Sequence, residues 1–321
     1  MEQFAGKIAV VTGGGTGMGR ELCRQLTAEG ASVAMCDVSE TDMAETAALC
    51  VEGAPETVRI VTFVADVSDE AQVLAFRDAV AAELGTDHID LLFNNAGIGG
   101  GASMIASPRD EWERVFAVDW WGVYYGVRAF LPLLLASDEG HVVNTSSVNG
   151  FHAALGLNGA HTAYSSAKFA VKGFTEALVT DFRVNAPHLH AHVVMPGHIG
   201  TSIVTNTNKV LSSGMSAEAQ AARRREMVSS AGFDASQSSD DEIENLMAMF
   251  GEGFKMMAPT TAAEAATIIL DGVRANRWRI LVGADAEALD AAVRDTPEEA
   301  YEPTFWPRLQ EQGHFVGGGQ R

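Results

Sequence analysis

Tyr164 and Lys168 are the residues whose types and spacing best suit acid/base chemistry. They stand four positions apart in a predicted helix over residues 163–184, so their side chains share one helix face. A phenol with a pKa near ~10 is a poor base at neutral pH, and lowering that pKa by about three units takes roughly 4 kcal/mol. A neighbouring ammonium group supplies part of this free energy. The pair predicts a proton-transferring tyrosine, although the same spacing also occurs in surface contacts of helices.

Hydroxyl and amide side chains end the predicted strand over residues 141–146, in the run Asn144-Thr145-Ser146-Ser147. In an open α/β sheet, ligands bind at the carboxyl ends of the strands. A serine at that edge can hydrogen-bond a substrate oxygen. We therefore predict Ser147 as a catalytic residue beside Tyr164 and Lys168.

Short β-branched segments alternate with helical patterns along the chain, which indicates repeated β-α-β units. The predicted strands cover residues 7–12, 32–37, 59–65, 89–94, 141–146, 190–195 and 279–282. The predicted helices cover residues 17–29, 40–51, 69–84, 109–135, 163–184 and 262–274. This order predicts an α/β fold with a Rossmann-like, doubly wound parallel sheet of about seven strands in three α/β/α layers.

The same order predicts a single catalytic domain over residues 1–285 with a C-terminal extension over 286–321. Residues 202–259 interrupt the pattern for longer than an ordinary connection does, and they predict an inserted substrate lid with helices of its own. A small satellite core built on the methionines of residues 246–257 is the alternative reading. We expect Phe305 and Trp306 in the extension to pack on the domain, and Gly317-Gly318-Gly319 not to.

A glycine-rich turn follows the first strand and opens a helix, in the run Thr12-Gly13-Gly14-Gly15-Thr16-Gly17-Met18-Gly19. Such a turn lets backbone N–H groups and a helix N-terminus approach a pyrophosphate. Asp37 ends the second strand, where a carboxylate can accept hydrogen bonds from the ribose of NAD. It would oppose the 2′-phosphate of NADP by about 3 kcal/mol at ~5 Å and an effective dielectric of ~20. Because neither Thr16 nor Val38 supplies a compensating cation, the sequence predicts NAD over NADP.

Taken in order, these motifs resemble those of the short-chain dehydrogenase/reductase family, over roughly residues 5 to 285. The resemblance implies cofactor binding by the glycine-loop residues and by two of the catalytic residues themselves. These positions are Gly13, Thr16, Gly17, Met18, Gly19, Asp37, Tyr164 and Lys168. It also implies contacts to the adenine, to the cofactor near the fourth strand and to the nicotinamide carboxamide. Those residues are Asp66, Val67, Asn95, Ala96, Gly97, Pro196, Gly197, Ile199 and Thr201.

By the same resemblance, Ser147 polarises the substrate oxygen, Tyr164 exchanges its proton, and Lys168 holds the ribose and lowers the pKa of Tyr164. The resemblance also implies a homo-oligomer, commonly a tetramer and otherwise a dimer, built from the helices at 109–135 and 163–184.

Two positions depart from the family pattern. Asp119 stands where the family usually has a catalytic asparagine, and an ionised carboxylate only accepts hydrogen bonds. The proton relay survives if only the backbone carbonyl matters there; a buried carboxylate would instead bind Lys168 or be protonated. We therefore treat Asp119 as a proton-relay candidate. Extra residues around Gly156–Gly159 are expected to reshape the substrate pocket.

The amino-acid composition limits the classes of partner that this protein is expected to bind. A net charge of -20 opposes binding to nucleic acid and to anionic membranes, and no run is long enough to span a bilayer. We expect a cytoplasmic protein without a secretion signal. Buried thiols are the expected state of Cys23, Cys36 and Cys50. We predict no metal, because the cysteines and the histidines near the active-site edge (His152, His161 and His198) lack metal-ligand spacing. Those histidines remain candidates for substrate contact.

The predicted function is interconversion of a small secondary alcohol and its ketone with NAD(H). The Met-rich insertion favours a hydrophobic substrate. Two alternatives stay open: an epimerase or dehydratase of the same fold that retains NAD, and a non-enzymatic NAD-binding regulator.

Overall fold

The computed structural model of the protein describes residues 1–154, 159–230, 233–235, 238–311 and 313. The strands are β1 (Ile8–Thr12), β2 (Ser32–Asp37), β3 (Ile60–Val64), β4 (Leu91–Asn94), β5 (Gly140–Thr145), β6 (Leu189–Pro196), β7 (Ile199–Gly200), β8 (Thr260–Thr261) and β9 (Arg279–Val282). The helices are α1 (Gly17–Ala28), α2 (Glu40–Val51), α3 (Glu70–Leu84), α4 (Arg109–Phe116), α5 (Gly122–Leu135), α6 (Thr162–Asn185), α7 (Ile203–Leu211), α8 (Ala217–Ser230), α9 (Asp240–Met256), α10 (Ala262–Arg274), α11 (Ala284–Asp295) and α12 (Phe305–Glu311).

Seven strands form one parallel sheet in the order β3-β2-β1-β4-β5-β6-β9. Successive residues of β1 point to opposite faces, so Val10 and Val11 belong to the two separate cores that helices cover on either side. The predicted Rossmann-like, three-layer fold is confirmed. The strand order reverses between β1 and β4, and in open α/β sheets ligands bind in the crevice at the carboxyl ends of the strands beside such a switch point.

The predicted helix over residues 109–135 is wrong in one respect, because it is not one regular α-helix. A π-helical segment, Ala117–Trp121, separates α4 from α5. Such single-turn insertions widen the backbone ladder and occur frequently at functional sites. Asp119 lies in this segment with its side chain completely buried.

Residues 202–259 contain helices α7, α8 and α9, and the two-residue pairing of β7 with β8 joins the chain on either side of them. A small satellite core of Val228, Ala235 and Ile243 holds α8 against α9, and Met247 packs on it. The other methionines of this segment are not part of the satellite core. Met249, Met256 and Met257 are exposed, which leaves apolar surface on this segment.

The C-terminal extension packs on the domain through its aromatic residues. Phe305 and Trp306 are buried with Leu289 and with Val148, which follows β5. Gly317-Gly318-Gly319 lie outside the described residues. The expectation of buried thiols is confirmed, since all three cysteines are free and buried.

Candidate active site

Three predicted catalytic side chains meet at the carboxyl end of β5. Ser147 stands two residues after the end of this strand, and its hydroxyl shares a hydrogen bond with the Tyr164 phenol. The Lys168 ammonium lies 5.4 Å from the centre of the Tyr164 ring, on the same face of α6. It donates a hydrogen bond to the Thr145 carbonyl at 3.1 Å, which fixes it against the strand end. The structure thus brings the serine, the phenol and the ammonium group into one site.

The surroundings of Tyr164 favour the protonated phenol. Burial raises its pKa, the negative charge of Asp119 raises it further, and the hydrogen bond from Ser147 acts in the opposite direction. A phenol held in its neutral form is ready to donate a proton.

The Asp119 carboxylate occupies the far side of Lys168. Its Oδ1 accepts a hydrogen bond from the Ile98 N–H at 2.9 Å and lies 3.7 Å from Lys168 Nζ. Among the described residues, Oδ2 has no hydrogen-bond partner although it is buried. Burial raises the pKa of Asp119 to about 6, against the opposing effects of Lys168 and Ile98. A Cβ at Gly97 would lie 2.9 Å from Oδ1, so glycine there leaves room for the carboxylate.

The glycine-rich turn leaves its backbone bare at the start of α1. Gly13 and Gly17 adopt positive φ angles, where glycine is favoured. A Cβ at Gly13 would lie 2.8 Å from the Ala96 Cα, and one at Gly19 would overlap the Gly13 carbonyl oxygen. Met18 packs against the core beneath. The N-terminus of α1 is therefore open to close approach by a ligand.

Asp37 binds backbone N–H groups at the glycine-rich turn and just after β2. Its carboxylate accepts hydrogen bonds from the Gly15 N–H at 3.0 Å and the Ser39 N–H at 3.1 Å. Burial raises its pKa, and these hydrogen bonds partly offset the effect. Arg20 is a cation close to the turn, but its guanidinium group binds the Gly15 carbonyl and the Glu45 carboxylate.

Asp66 and Val67 follow the carboxyl end of β3. Burial acts to raise the pKa of Asp66, but hydrogen bonds from Arg114 and Ser68 outweigh it and lower the pKa. The Arg114 guanidinium lies 2.5 Å from Asp66 Oδ2. Val67 is buried and packs against Gly122 at the start of α5.

Asn95 ties the end of β4 to the glycine turn. Its amide nitrogen donates to the carbonyls of Thr12 and Gly13, at 3.1 and 3.3 Å. The backbone N–H groups of Asn95 and Ala96 both donate to the Thr12 hydroxyl. Asn95 Oδ1 is buried without a hydrogen-bond partner among the described residues, so this amide retains an acceptor for a ligand donor.

The segment from Pro196 to Thr201 packs against the glycine turn through Thr201. Pro196 ends β6, Ile199 is buried in β7, and the Thr201 side chain lies within 3.2 Å of where a Cβ at Gly17 would stand. Gly197 has no room for a Cβ, because Asp285 lies against it. The predicted cofactor residues thus lie at the carboxyl edge of the sheet, and their contact with a cofactor stays a prediction.

The model of the short chain dehydrogenase family matches residues 7–211, which include all of these catalytic and glycine-loop positions. The chain belongs to the short-chain dehydrogenase family. Oxidoreductase SadH of Mycobacterium tuberculosis, whose name gives no substrate, is 34% identical over 92% of both chains. Levodione reductase of Leifsonia aquatica is 36% identical over 65% of this chain and 75% of its own length.

Solved structures of the family share the fold. A short-chain dehydrogenase/reductase from Burkholderia phymatum, in complex with NAD, superposes over 100% of both chains with a TM-score of 0.72 and 26% identity. Both NAD and NADP occur in complexes of related structures. Membership of the family therefore leaves the choice between the two cofactors open.

The three histidines expected near the active-site edge have different surroundings. His152 is buried, and its two ring nitrogens lie 2.8 Å from the carbonyl oxygens of Ala154 and Ala300. Its ring stacks on Tyr301 of the extension. His198 reaches the Phe254 carbonyl of α9 at 2.7 Å. Burial lowers the pKa of His161. His152 and His198 thus join parts of the fold, and substrate contact by any of the three stays a prediction.

Two residues beside the crevice were missed by sequence reasoning. Asp285, at the start of α11, accepts a hydrogen bond from the His198 N–H at 2.6 Å and so holds the segment after β6. Asn206, in α7, donates to the Thr16 hydroxyl at 2.8 Å and connects the insertion to the glycine turn. Neither residue belongs to a local sequence motif. The one signal in the sequence was that Asp285 is an acidic residue in the first turn of a helix.

Two further expectations concern the loop after Ser147 and the membrane. Of the extra residues after Ser147, Gly156, Leu157 and Asn158 lie outside the described residues. Among the helices that the structure describes, none is long and apolar enough to cross a membrane.

Proposed function

We propose that this chain is an NAD(H)-dependent oxidoreductase that interconverts a secondary alcohol and its ketone, with Tyr164 as the general acid/base. The observation that carries the proposal is the meeting of Ser147, Tyr164 and Lys168 at the carboxyl end of β5, beside the crevice at the switch point. Levodione reductase, a relative named for reduction of a ketone, supports the reaction class.

The crevice fits a dinucleotide. The glycine turn excludes side chains at the N-terminus of α1, where backbone N–H groups and the helix dipole favour a pyrophosphate. Asp66 and Val67 would flank the adenine, Asn95, Ala96 and Gly97 the middle of the cofactor, and Pro196, Gly197, Ile199 and Thr201 the nicotinamide end. When bound, the nicotinamide supplies or accepts the hydride.

The proton follows a path built from this chain's residues. In the reductive direction Tyr164 donates its phenolic proton to the ketone oxygen, which Ser147 holds by a hydrogen bond. In the oxidative direction the phenolate takes the alcohol proton back. The Lys168 ammonium stabilises that phenolate, because opposite charges a few ångströms apart in a buried site attract strongly.

Asp119 is our candidate for the next step of the proton path. Its carboxylate lies 3.7 Å from Lys168 Nζ, and its unpartnered Oδ2 can accept a proton or a hydrogen bond. Asp119→Asn tests this role. Loss of kcat would assign the relay to the carboxylate, whereas unchanged kcat would assign it to the backbone carbonyl of residue 119.

Asp37 supports NAD as the cofactor. Its carboxylate stands at the end of β2, where the ribose 2′-hydroxyl of NAD can donate to it, and it would repel a 2′-phosphate. The nearby Arg20 guanidinium is paired with Glu45.

We further propose that residues 1–285 form the catalytic domain, that the insertion 202–259 is a substrate lid, and that residues 286–321 are an extension of this domain. The exposed Met249, Met256 and Met257 support a hydrophobic substrate. The exposed Trp121 and Phe169, on the helical side that family members use for assembly, support a homotetramer, with a dimer as the alternative. Light scattering after size-exclusion chromatography measures that state.

A substrate screen tests the function. The purified chain is incubated with NAD or NADP and a panel of secondary alcohols, and with the reduced cofactors and the matching ketones, while nicotinamide absorbance is recorded. We expect stoichiometric NADH formation with at least one alcohol. Product formation without net NADH would favour an epimerase or dehydratase, and tight NAD binding without turnover across the panel would favour a regulator.

A further inference from the structure

A cluster of histidines lies at the amino end of β5 and β6, the opposite sheet edge from the active site. This amino-edge cluster consists of Glu139, His141, His190 and His192. His141 and His190 are direct neighbours in the register of the two parallel strands. The proposed dehydrogenase chemistry uses none of these residues.

Three ligand-type atoms of the cluster converge. Glu139 Oε1 lies 3.3 Å from His141 Nε2 and 4.0 Å from His190 Nε2, and the three atoms all lie within 4.8 Å of one another. Ligands at the corners of a tetrahedron around Zn²⁺, with bonds of ~2.0–2.1 Å, are about 3.4 Å apart. Changes of at most about 1.4 Å in these separations, shared between two side chains, would therefore bring the three atoms to coordination distance.

The hydrogen bonds behind His141 determine which of its nitrogens carries a proton. The Arg277 carbonyl can only accept, so His192 Nδ1, 2.7 Å away, carries the hydrogen. A neutral His192 then offers its Nε2 lone pair to His141 Nδ1 at 2.8 Å, so His141 also carries its hydrogen on Nδ1. The lone pair of His141 Nε2 consequently faces Glu139 Oε1. Two acceptors face each other beside the Met1 ammonium group, which donates to Glu139 Oε1 at 2.6 Å, so the pair stands where a cation is favoured.

Burial supports this assignment of the protons. His141 and His192 are fully inaccessible to solvent, which disfavours the charged imidazolium. Neutral imidazole is also the form that ligates metals. Two other cations could take the place of a metal ion: the Met1 ammonium group already paired with Glu139, and a proton that makes His141 an imidazolium.

The outer contacts of the cluster are those expected around a metal centre. A ligating histidine usually donates its second N–H to a carbonyl, a carboxylate or another acceptor, which orients the ring. His141 does so through His192. His190 Nδ1 lies 3.1 Å from the Asn276 side-chain amide, and rotating that amide would let its oxygen accept from Nδ1–H and free Nε2 for a metal.

We propose that Glu139, His141 and His190 bind a divalent transition-metal ion, with Zn²⁺ as the best match to two imidazoles and one carboxylate. Glu139 and His190 are partly exposed, so the ion can enter from solvent and keep a water ligand. The Met1 ammonium group donates a hydrogen bond to Glu139 Oε1 at 2.6 Å, and a bound ion would displace it or, after loss of a proton, take its nitrogen as a further ligand. The ion would join β5 to β6 at the edge remote from catalysis.

The test uses the full chain, freed of metal by a chelator and titrated with Zn²⁺ against a chromophoric competitor. We expect one equivalent to bind tightly and to raise the melting temperature. Glu139→Gln and His190→Gln, at partly exposed positions, should each weaken that equivalent by at least about 100-fold, since each removes one of three ligands. His188→Gln is the matched control, because His188 is a nearby histidine outside the cluster, and it should bind like wild type.

Three results would overturn the proposal. The first is the absence of a tight equivalent in wild type, and the second is equal binding by wild type and both ligand variants, which would show zinc held elsewhere on this acidic chain. The third is a ¹⁵N spectrum in which His141 remains an imidazolium after Zn²⁺ is added, which would assign the cation to a proton. Because these measurements require neither cofactor nor substrate, they stand or fall independently of the proposed dehydrogenase activity.

Discussion

The two ends of strand β5 carry polar groups in different states. At its carboxyl end and at that of the neighbouring β4, two buried acceptors have no partner among the described residues, Asp119 Oδ2 and Asn95 Oδ1. At its amino end, His141 and His192 bond to each other and to a carbonyl in a closed chain. Unsatisfied acceptors in a crevice suit a ligand that arrives and leaves, whereas a closed chain orients one lone pair and suits a resident ion.

The largest effect expected from this comparison is on turnover at the carboxyl end. Tyr164→Phe removes the proton donor and keeps the ring, so kcat should fall by about 10³-fold or more while the NAD dissociation constant changes little. Steady-state kinetics and NAD titration measure the two quantities. Tyr124→Phe, which removes the same hydroxyl elsewhere, is the control. Unchanged turnover in Tyr164→Phe would break the assignment of chemistry to this end.

A second effect is the loss of folding stability when the buried Asp119 ionises. Its pKa is raised from 3.8 to about 6, so between these values the folded state holds more protons than the unfolded state. The free energy of unfolding should therefore fall as pH rises through this window, by roughly 3 kcal/mol at about 1.4 kcal/mol per pKa unit. Asp119→Asn lacks this titration and serves as the reference.

Urea unfolding of both proteins at a series of pH values measures the difference. We expect wild type to lose stability relative to Asp119→Asn from about pH 4 to about pH 6, with the slope vanishing above the window. Parallel stability curves would show that the carboxylate is stabilised as fully as in water, and the contrast between the two ends of β5 would be weaker.

A smaller effect is expected on cofactor choice. Asp37→Ala removes the charge that opposes a 2′-phosphate, so the ratio of kcat/KM for NAD over NADP should fall by about tenfold or more. Glu40→Ala, which removes an exposed charge three residues away, is the control and should leave the ratio nearly unchanged. A wild-type enzyme that already prefers NADP would contradict the role given to Asp37.

The smallest effect should appear where the insertion contacts the glycine turn. Asn206→Ala removes the hydrogen bond to Thr16, and a neutral hydrogen bond contributes about 1 kcal/mol, so NAD affinity should fall by about fivefold. Thr205→Ala, at an exposed neighbour in α7, should bind NAD like wild type. Isothermal titration calorimetry measures both affinities. Equal NAD affinities of Asn206→Ala and wild type would show that this contact of the insertion does not contribute to cofactor binding.

Much of the fold was predictable because its signals are local. Alternating apolar strands and helices predicted the seven-stranded sheet, and the glycine turn predicted the start of α1. The break in the predicted helix over 109–135 was not predictable in this way, since no glycine or proline interrupts the helical pattern within Ala117–Trp121. Its position depends on the contacts of Asp119 with Ile98 and Lys168, which come from distant parts of the chain.

The sequence by itself determined the parallel Rossmann-like fold and the pairing of Tyr164 with Lys168, because helix and strand periods place nearby residues on one face. Only the tertiary structure decided that Asp119 faces Lys168, that Asp285 holds the segment after β6, and that His141 meets His190. Those contacts join residues far apart in the chain. They depend on strand register and on burial, which no local spacing encodes.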